Sequence, residues 1–215
     1  MPRPFSFMIS IVDHLLIAAD EALRTLAGVA NAARQSPGKG EGDPAAEAER
    51  RASAGLMRVN HAGEVCAQAL YSGQAMVARE PRIRDALQAA GAEERDHLVW
   101  CSERLEELGS RPSLLTPAWY AGSFALGVVS GLAGDRWSLG FLAETEAQVE
   151  QHLEGHLDRL PADDRRSRAI LTQMRDDENR HGATGRALGA AELPTPVKRA
   201  MKAFSKVMTR TAYWV

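Results

Sequence analysis

The sequence predicts an all-α fold for its 215 residues. Apolar side chains recur at helical spacing, no segment sustains the alternation of a strand, and β-branched residues are scarce. Hydrophobic residues make up 45% and charged residues 25%, which allows a buried core and excludes a wholly disordered chain. The length suits a single domain over 1–215.

In chain order, Ile11-Val12, Leu15-Leu16, Ala18-Ala19, Leu23 and Leu26 share one face and stop at Gly28, predicting an amphipathic helix over 9–29. Arg3 does not open an export signal, because Asp13 and His14 interrupt the apolar stretch and no small-residue cleavage site follows. Ser36-Pro37-Gly38-Lys39-Gly40-Glu41-Gly42-Asp43-Pro44 has turn chemistry and predicts a flexible linker over 36–46. Residues 46–78 read as a helix with Leu56, Val59, Val65, Leu70 and Tyr71 apolar. Pro81 marks a turn, and a second helix runs over 82–108 to Gly109. Two more follow, 137–159 before Pro161 and 163–189, where Asp163-Asp164 suit the positive end of the helix dipole.

Between the two pairs lies 112–134, an apolar crossover segment without a charged side chain. Its prolines and glycines shrink the expected helix to 118–133, short of the roughly 20 residues a spanning helix needs. Trp119, Tyr120, Phe124, Trp137 and Phe141 cluster in or beside it, as aromatics do at a membrane interface. It reads either as a buried crossover helix or as a segment lying in one leaflet. The tail over 196–215 carries Lys198, Arg199, Lys202, Lys206 and Arg210 without an acidic residue, and Met201, Phe204, Val207 and Met208 fall at helical spacing. A basic amphipathic helix ending in Tyr213-Trp214 suits an anionic bilayer surface, or else a docked helix with a solvated face. Together the two segments favour peripheral membrane attachment. A mean hydropathy of −0.28 argues against a polytopic membrane protein. The net charge of −2 offers no field for nucleic acid. Cys66 and Cys101 are too few for a disulfide scaffold, fit a reduced cytoplasmic setting and read as small buried helix residues.

The chemistry sits in the four longer helices. Glu94-Arg95-Asp96-His97 and Glu178-Asn179-Arg180-His181 are both E-x-x-H, which puts carboxylate and imidazole on one helix face. One such motif is weak evidence on a charged helix. Here each follows another glutamate by one hairpin: Glu64 lies 30 residues before Glu94, and Glu146 lies 32 before Glu178. Glutamate on one helix and E-x-x-H on the next, twice over, is the ligand set of ferritin-like di-iron carboxylate bundles. The 49 residues from His97 to Glu146 leave room for the long crossover these bundles need. Four carboxylates balance two Fe(II) ions, and buried without cations they would be prohibitively costly. Mixed carboxylate and imidazole ligands suit iron that binds O2; manganese is a second candidate, and zinc prefers fewer ligands. Spacing leaves Glu146 and Glu150 both able to face inward, with Glu144 just before them. His152 and His61 read as partners that orient ligands or as structural or exposed residues, and His156 as exposed.

The run Leu56-Met57-Arg58-Val59-Asn60-His61-Ala62-Gly63-Glu64-Val65 resembles the signature of the demethoxyubiquinone hydroxylases of ubiquinone biosynthesis. Tyr71-Ser72-Gly73-Gln74, Glu93 to His97, Glu144 to Leu153 and Asp177 to His181 are similar too, so the resemblance covers roughly 10–215, including the N-terminal helix of the longer bacterial members. It implies Glu64, Glu94, His97, Glu146, Glu178 and His181 as ligands of two iron ions, with Glu146 preferred over Glu150. It implies a monooxygenase using O2 as co-substrate and an external electron donor to hydroxylate the ring of a polyprenylated demethoxy quinol. For a bacterium the location implied is the cytoplasmic face of the inner membrane. Association with other ubiquinone-biosynthesis proteins or with further copies of the chain is compatible with it. Two other readings use parts of the same pattern: a ferritin- or rubrerythrin-like iron oxidase or peroxidase on soluble substrates, and a membrane-surface scaffold in which the Glu/His pattern is incidental. A di-iron hydroxylase of tRNA fits poorly with the charge.

Overall fold

The computed structural model describes residues 11–29 and 31–215; Arg3, the expected helix start at residue 9, and the side chains of Ile11, Val12, His14 and Leu15 lie outside the described residues. Seven helices and no strand are found among the described residues: α1 (Ile11–Ala27), α2 (Glu47–Val77), α3 (Pro81–Glu107), α4 (Thr116–Leu132), α5 (Asp135–Arg159), α6 (Arg165–Ala187) and α7 (Thr195–Trp214). Local chemistry sets their ends. Gly28 and Gly109 take φ of +64° and +69°, a conformation that suits the residue just past a helix. The last helix of the bundle starts at residue 165 rather than 163, because Asp164 is its cap: the carboxylate accepts from the Ser167 N–H at 3.0 Å.

Helices α2 and α3 form one hairpin and α5 and α6 the other; the two pack together as a ferritin-like four-helix bundle, with α4 crossing between them. Two apolar layers fill its interior. Leu56, Met57, Trp100, Leu105, Leu153, Leu171 and Met174 occupy one end, and Leu70, Tyr71, Ile83, Leu87, Leu139 and Leu142 the other. Cys101 is buried in the first layer, whereas Cys66 is only partly buried; both are free thiols.

The charge-free crossover helix α4 is half buried and half exposed. Its small residues face α2 so closely that a Cβ on Gly127 would strike the Leu70 carbonyl, and one on Gly131 the Val77 side chain. Its other face leaves Leu126, Val129 and Leu132 in the open. Helix α7 buries Met208 and Ala212 against Val59 and Ala62 of α2, leaving Phe204, Val207 and Trp214 exposed. Helix α1 also lies on α2 and buries Ala18 and Thr25, while Leu16 and Leu23 stand exposed. Among the described residues, no helix is long and apolar enough to cross a membrane.

The segment 36–46, expected as a flexible linker from its glycines and prolines, is tied to the bundle. The Arg166 N–H donates to the Gly42 carbonyl at 3.2 Å and Arg166 Nε to the Glu41 carbonyl at 2.9 Å. Asp43 accepts from Arg104 at 2.7 Å, and Arg104, 1% exposed, also holds Asp164 at 2.8 Å. A buried guanidinium on α3, held by Asp43 of the segment and by the Asp164 cap of α6, fastens the segment to both helices.

Candidate metal centre

Midway along the bundle, between the two apolar layers, each helix turns polar side chains inward: Glu64 from α2, Glu94 and His97 from α3, Glu146 from α5, Glu178 and His181 from α6. All six are buried. They form two overlapping groups, Glu64, Glu94, His97 and Glu178, and Glu94, Glu146, Glu178 and His181. Within each, one donor atom per residue lies within 4.8 Å of the others. Glu94 and Glu178 belong to both groups, the placement that lets a carboxylate span two ions.

The imidazoles are aimed. His97 Nδ1 lies 3.2 Å from Glu94 and 3.5 Å from Glu64 and from Glu178, while Nε2 meets Asp177 Oδ2 at 2.9 Å. His181 Nδ1 lies 3.0 Å from Glu94 and 3.4 Å from Glu178. Asp177, buried at the base of this contact, is joined by Arg34, Gln173 and Arg180.

Crowding four carboxylates and two imidazoles out of water shifts their proton affinities. Burial, reinforced by Glu94, drives the Glu64 carboxyl well above the usual carboxylate range. Burial with neighbouring Glu178 does the same to Glu146. Burial opposes charge on His97 and His181, yet the carboxylates around them raise both, His181 to about 10. Glu94 and Glu178 go down despite burial, because the imidazolium groups face them. The four upward shifts thus favour protons on Glu64, Glu146, His97 and His181. Those protons occupy the electrical place of two divalent cations. Glu64 Oε2 and Glu146 Oε1 are also buried without a hydrogen-bond partner, an unfavourable state that a metal–oxygen bond removes. Oxygen and imidazole donors in this number fit iron or manganese better than tetrahedral zinc.

An apolar cavity of about 610 Å³ opens between α2, α4, α5 and α7 and reaches the centre. Its wall includes Val59, Gly63, Glu64, Leu126, Phe141, Val149 and Phe204. Glu64 alone belongs both to this wall and to the carboxylate cluster.

The chain matches the family model described as "Ubiquinone biosynthesis protein COQ7" over residues 51–212. It belongs to the COQ7 family. A 3-demethoxyubiquinol 3-hydroxylase of Ralstonia pickettii is 56% identical over 215 residues, covering 94% of this chain and 99% of that relative. Relatives of the same name from Bordetella parapertussis and Nitrosomonas europaea are 59% and 57% identical, each covering 95% of this chain and 93% and 99% of the relative. The matched span holds α3 to α6 whole, α2 but for its first four residues, and α7 nearly to its end.

The neighbours of Glu146 separate cleanly. Glu150 points outward and accepts from Asn179 at 2.8 Å, and Glu144 accepts from Gln148 at 2.8 Å. His156, expected to be exposed, is 3% exposed. Its Nδ1 pairs with Asn60 Oδ1 at 2.9 Å and its ring lies 3.8 Å from that of His152, so burial lowers its pKa to about 2. The polar partner that makes this burial tolerable sits 96 residues away, out of reach of any periodicity. His152 lines the cavity, and burial holds it neutral, its pKa lowered to about 4. His61 is likewise buried and neutral. Asp96, Asp177 and Arg34 were not among the residues expected at the site. The only sequence signal for the aspartates is their position beside the ligand motifs, Asp96 inside E-x-x-H and Asp177 just before it.

Proposed function

We propose that this protein is a 3-demethoxyubiquinol 3-hydroxylase, an oxidoreductase that adds a hydroxyl group to the ring of a demethoxy quinol in ubiquinone biosynthesis. The observation that carries the reading is the apolar cavity whose wall contains Glu64, one of the clustered carboxylates. A polyprenylated ring finds there both an oily enclosure and direct access to the centre. Glu64, Glu94, His97, Glu146, Glu178 and His181 are the ligands we assign to two iron ions, and Glu94 and Glu178 belong to both groups of donors. With iron bound, the centre supplies O2 activation: one oxygen atom enters a ring C–H bond as hydroxyl, and the other leaves as water with two electrons from an external donor and two protons. The chain's own part is to hold the ring beside Glu64, to exclude water with Phe141, Val149 and Phe204, and to aim His97 and His181.

Peripheral attachment to the cytoplasmic face of the bacterial inner membrane completes the proposal. Helices α1, α4 and α7 all pack on α2 and leave Leu16, Leu23, Val129, Leu132, Val207 and Trp214 exposed, and α7 adds a row of basic side chains. Leu126 and Phe204 line the cavity and are also 39% and 40% exposed, so the outer apolar surface is continuous with the cavity wall. A substrate dissolved in lipid can pass between them without crossing water. A ferritin- or rubrerythrin-like oxidase of soluble substrates has no use for such a cavity. The test is quinone analysis: cells lacking this protein should accumulate the demethoxy precursor, and re-expression of the Glu178→Ala variant should leave it accumulated. A normal quinone pool in cells without the protein would refute the substrate.

A further inference from the structure

The segment 31–46 precedes the span matched by the family model, yet it delivers a cation to the middle of the bundle. Asp96 on α3 and Asp177 on α6 are buried carboxylates, 4% and 0% exposed. Arg34 bridges them, Nε donating to Asp96 Oδ2 at 2.7 Å and one terminal nitrogen to Asp177 Oδ2 at 2.8 Å. Its place is fixed from several directions. The Ala33 N–H donates to Asp96 Oδ1 at 2.6 Å, and Trp100 Nε1 donates to the Arg34 carbonyl at 3.1 Å. The guanidinium carbon lies 4.9 Å from the centre of the Trp100 ring.

The Asp177 oxygen that Arg34 holds is the one facing His97 Nε2 at 2.9 Å. The other oxygen is taken by Gln173 at 2.8 Å and Arg180 at 2.7 Å. Which nitrogen of His97 is free to bind a metal is decided at this contact. When Nε2–H donates to Oδ2, Nδ1 carries the lone pair, and Nδ1 is the atom turned toward Glu64, Glu94 and Glu178.

We infer that Arg34 is a positioning residue for the metal centre: by bridging Asp96 and Asp177 it fixes the carboxylate oxygen that orients His97. This rests on reading the Glu/His cluster as a metal centre. Without Arg34, Oδ2 of Asp177 keeps only its contact with His97 while Gln173 and Arg180 hold the other oxygen, so the carboxylate can swing Oδ2 off the line to Nε2. A planar fork satisfies two carboxylates at once, which a lysine ammonium does less well.

Cobalt(II) is the probe, because its binding and visible absorption report the ligands without turnover. The wild-type chain should bind two cobalt ions. Arg34→Ala should weaken one of the two sites by roughly ten- to a hundred-fold, the usual effect of removing a ligand's outer partner, and should change the visible spectrum. Arg34→Lys should fall between them. Asp43→Ala, which removes the Arg104 contact of the same segment but leaves Arg34, should keep cobalt affinity within two-fold of wild type. Wild-type protein that binds no cobalt sinks the metal reading and this inference with it. Two normal sites in Arg34→Ala, or equal loss in Asp43→Ala, overturn the inference alone, because Arg34 then either does nothing for the centre or only braces the fold. Should Arg34→Ala not fold, the comparison passes to Arg34→Lys and Arg34→Gln: tighter cobalt binding by the lysine variant supports the role, and equal binding overturns it.

Discussion

Removing metal should leave a protein that is stable at mildly acidic pH and fails as the solution becomes alkaline. His181 is raised from 6.5 to about 10 in the folded, metal-free chain. A raised folded pKa contributes stability in full below the unfolded value, and that contribution disappears as pH climbs through the folded one. For His181 the window is pH 6.5 to about 10, worth on the order of 5 kcal/mol at 1.36 kcal/mol per pH unit. Glu64, Glu146 and His97 shift upward as well and act in the same direction. Against a total folding stability of about 5–15 kcal/mol, a loss of this size should bring the metal-free chain close to melting by the alkaline end. Metal replaces the protons and abolishes the trend, so thermal melts of the metal-free and loaded protein at pH 6.5, 8 and 9.5 should diverge. Calorimetric titration with Fe(II) or Co(II) in two buffers of different ionisation heat should show proton release at pH 7. A metal-free melting temperature that stays flat or rises over this range, or metal uptake without proton release, would refute the assignment of protons to the cluster.

Other consequences are open to measurement. Gly127→Val drives a side chain into the Leu70 carbonyl and should cost about 1–3 kcal/mol, read as a lower urea midpoint, as overpacked contacts do; an unchanged midpoint would mean that α4 does not need this close approach to α2. Ser205→Trp places a large ring in the wall of the cavity and should raise KM for the quinol at unchanged metal content. Identical KM values would place the substrate elsewhere. Lys202→Gln combined with Lys206→Gln should weaken binding to anionic vesicles by about 2 kcal/mol, roughly thirty-fold, and leave uncharged vesicles unaffected. Equal loss on both vesicle types would argue that the lysines support the fold rather than contact lipid.

Much of this fold is written in short-range pattern. Helical spacing, Gly28, Gly109 and Pro81 mark the ends of elements, since capping is settled within a few residues. Two E-x-x-H motifs at matching intervals after Glu64 and Glu146 made the cluster legible, because a helix face repeats every three to four residues. What could not be read is what depends on distant partners. Arg34 meets Asp177 across 143 residues, and Asn60 meets His156 across 96. The glycines of the linker suggested freedom, and the buried charge of Arg104, which overrides them, gives no local sign of where it will find Asp43. Periodicity alone could not choose between Glu146 and Glu150, since i and i+4 share one helix face; the packing of α5 against α6 sends Glu150 to Asn179.

The polar strap over residues 31–46 changes what counts as the smallest useful piece of this protein. A fragment trimmed to 51–212 would lose only the first turn of α2 from the bundle and would keep all six clustered Glu and His side chains. It would also leave Asp96 and Asp177 facing each other without Arg34, and Arg104 buried without Asp43. Such a fragment fills the family-model span and is electrically incomplete. Expression clones, crystallisation trimming and grafts of this bundle onto other scaffolds should therefore begin upstream of Arg34.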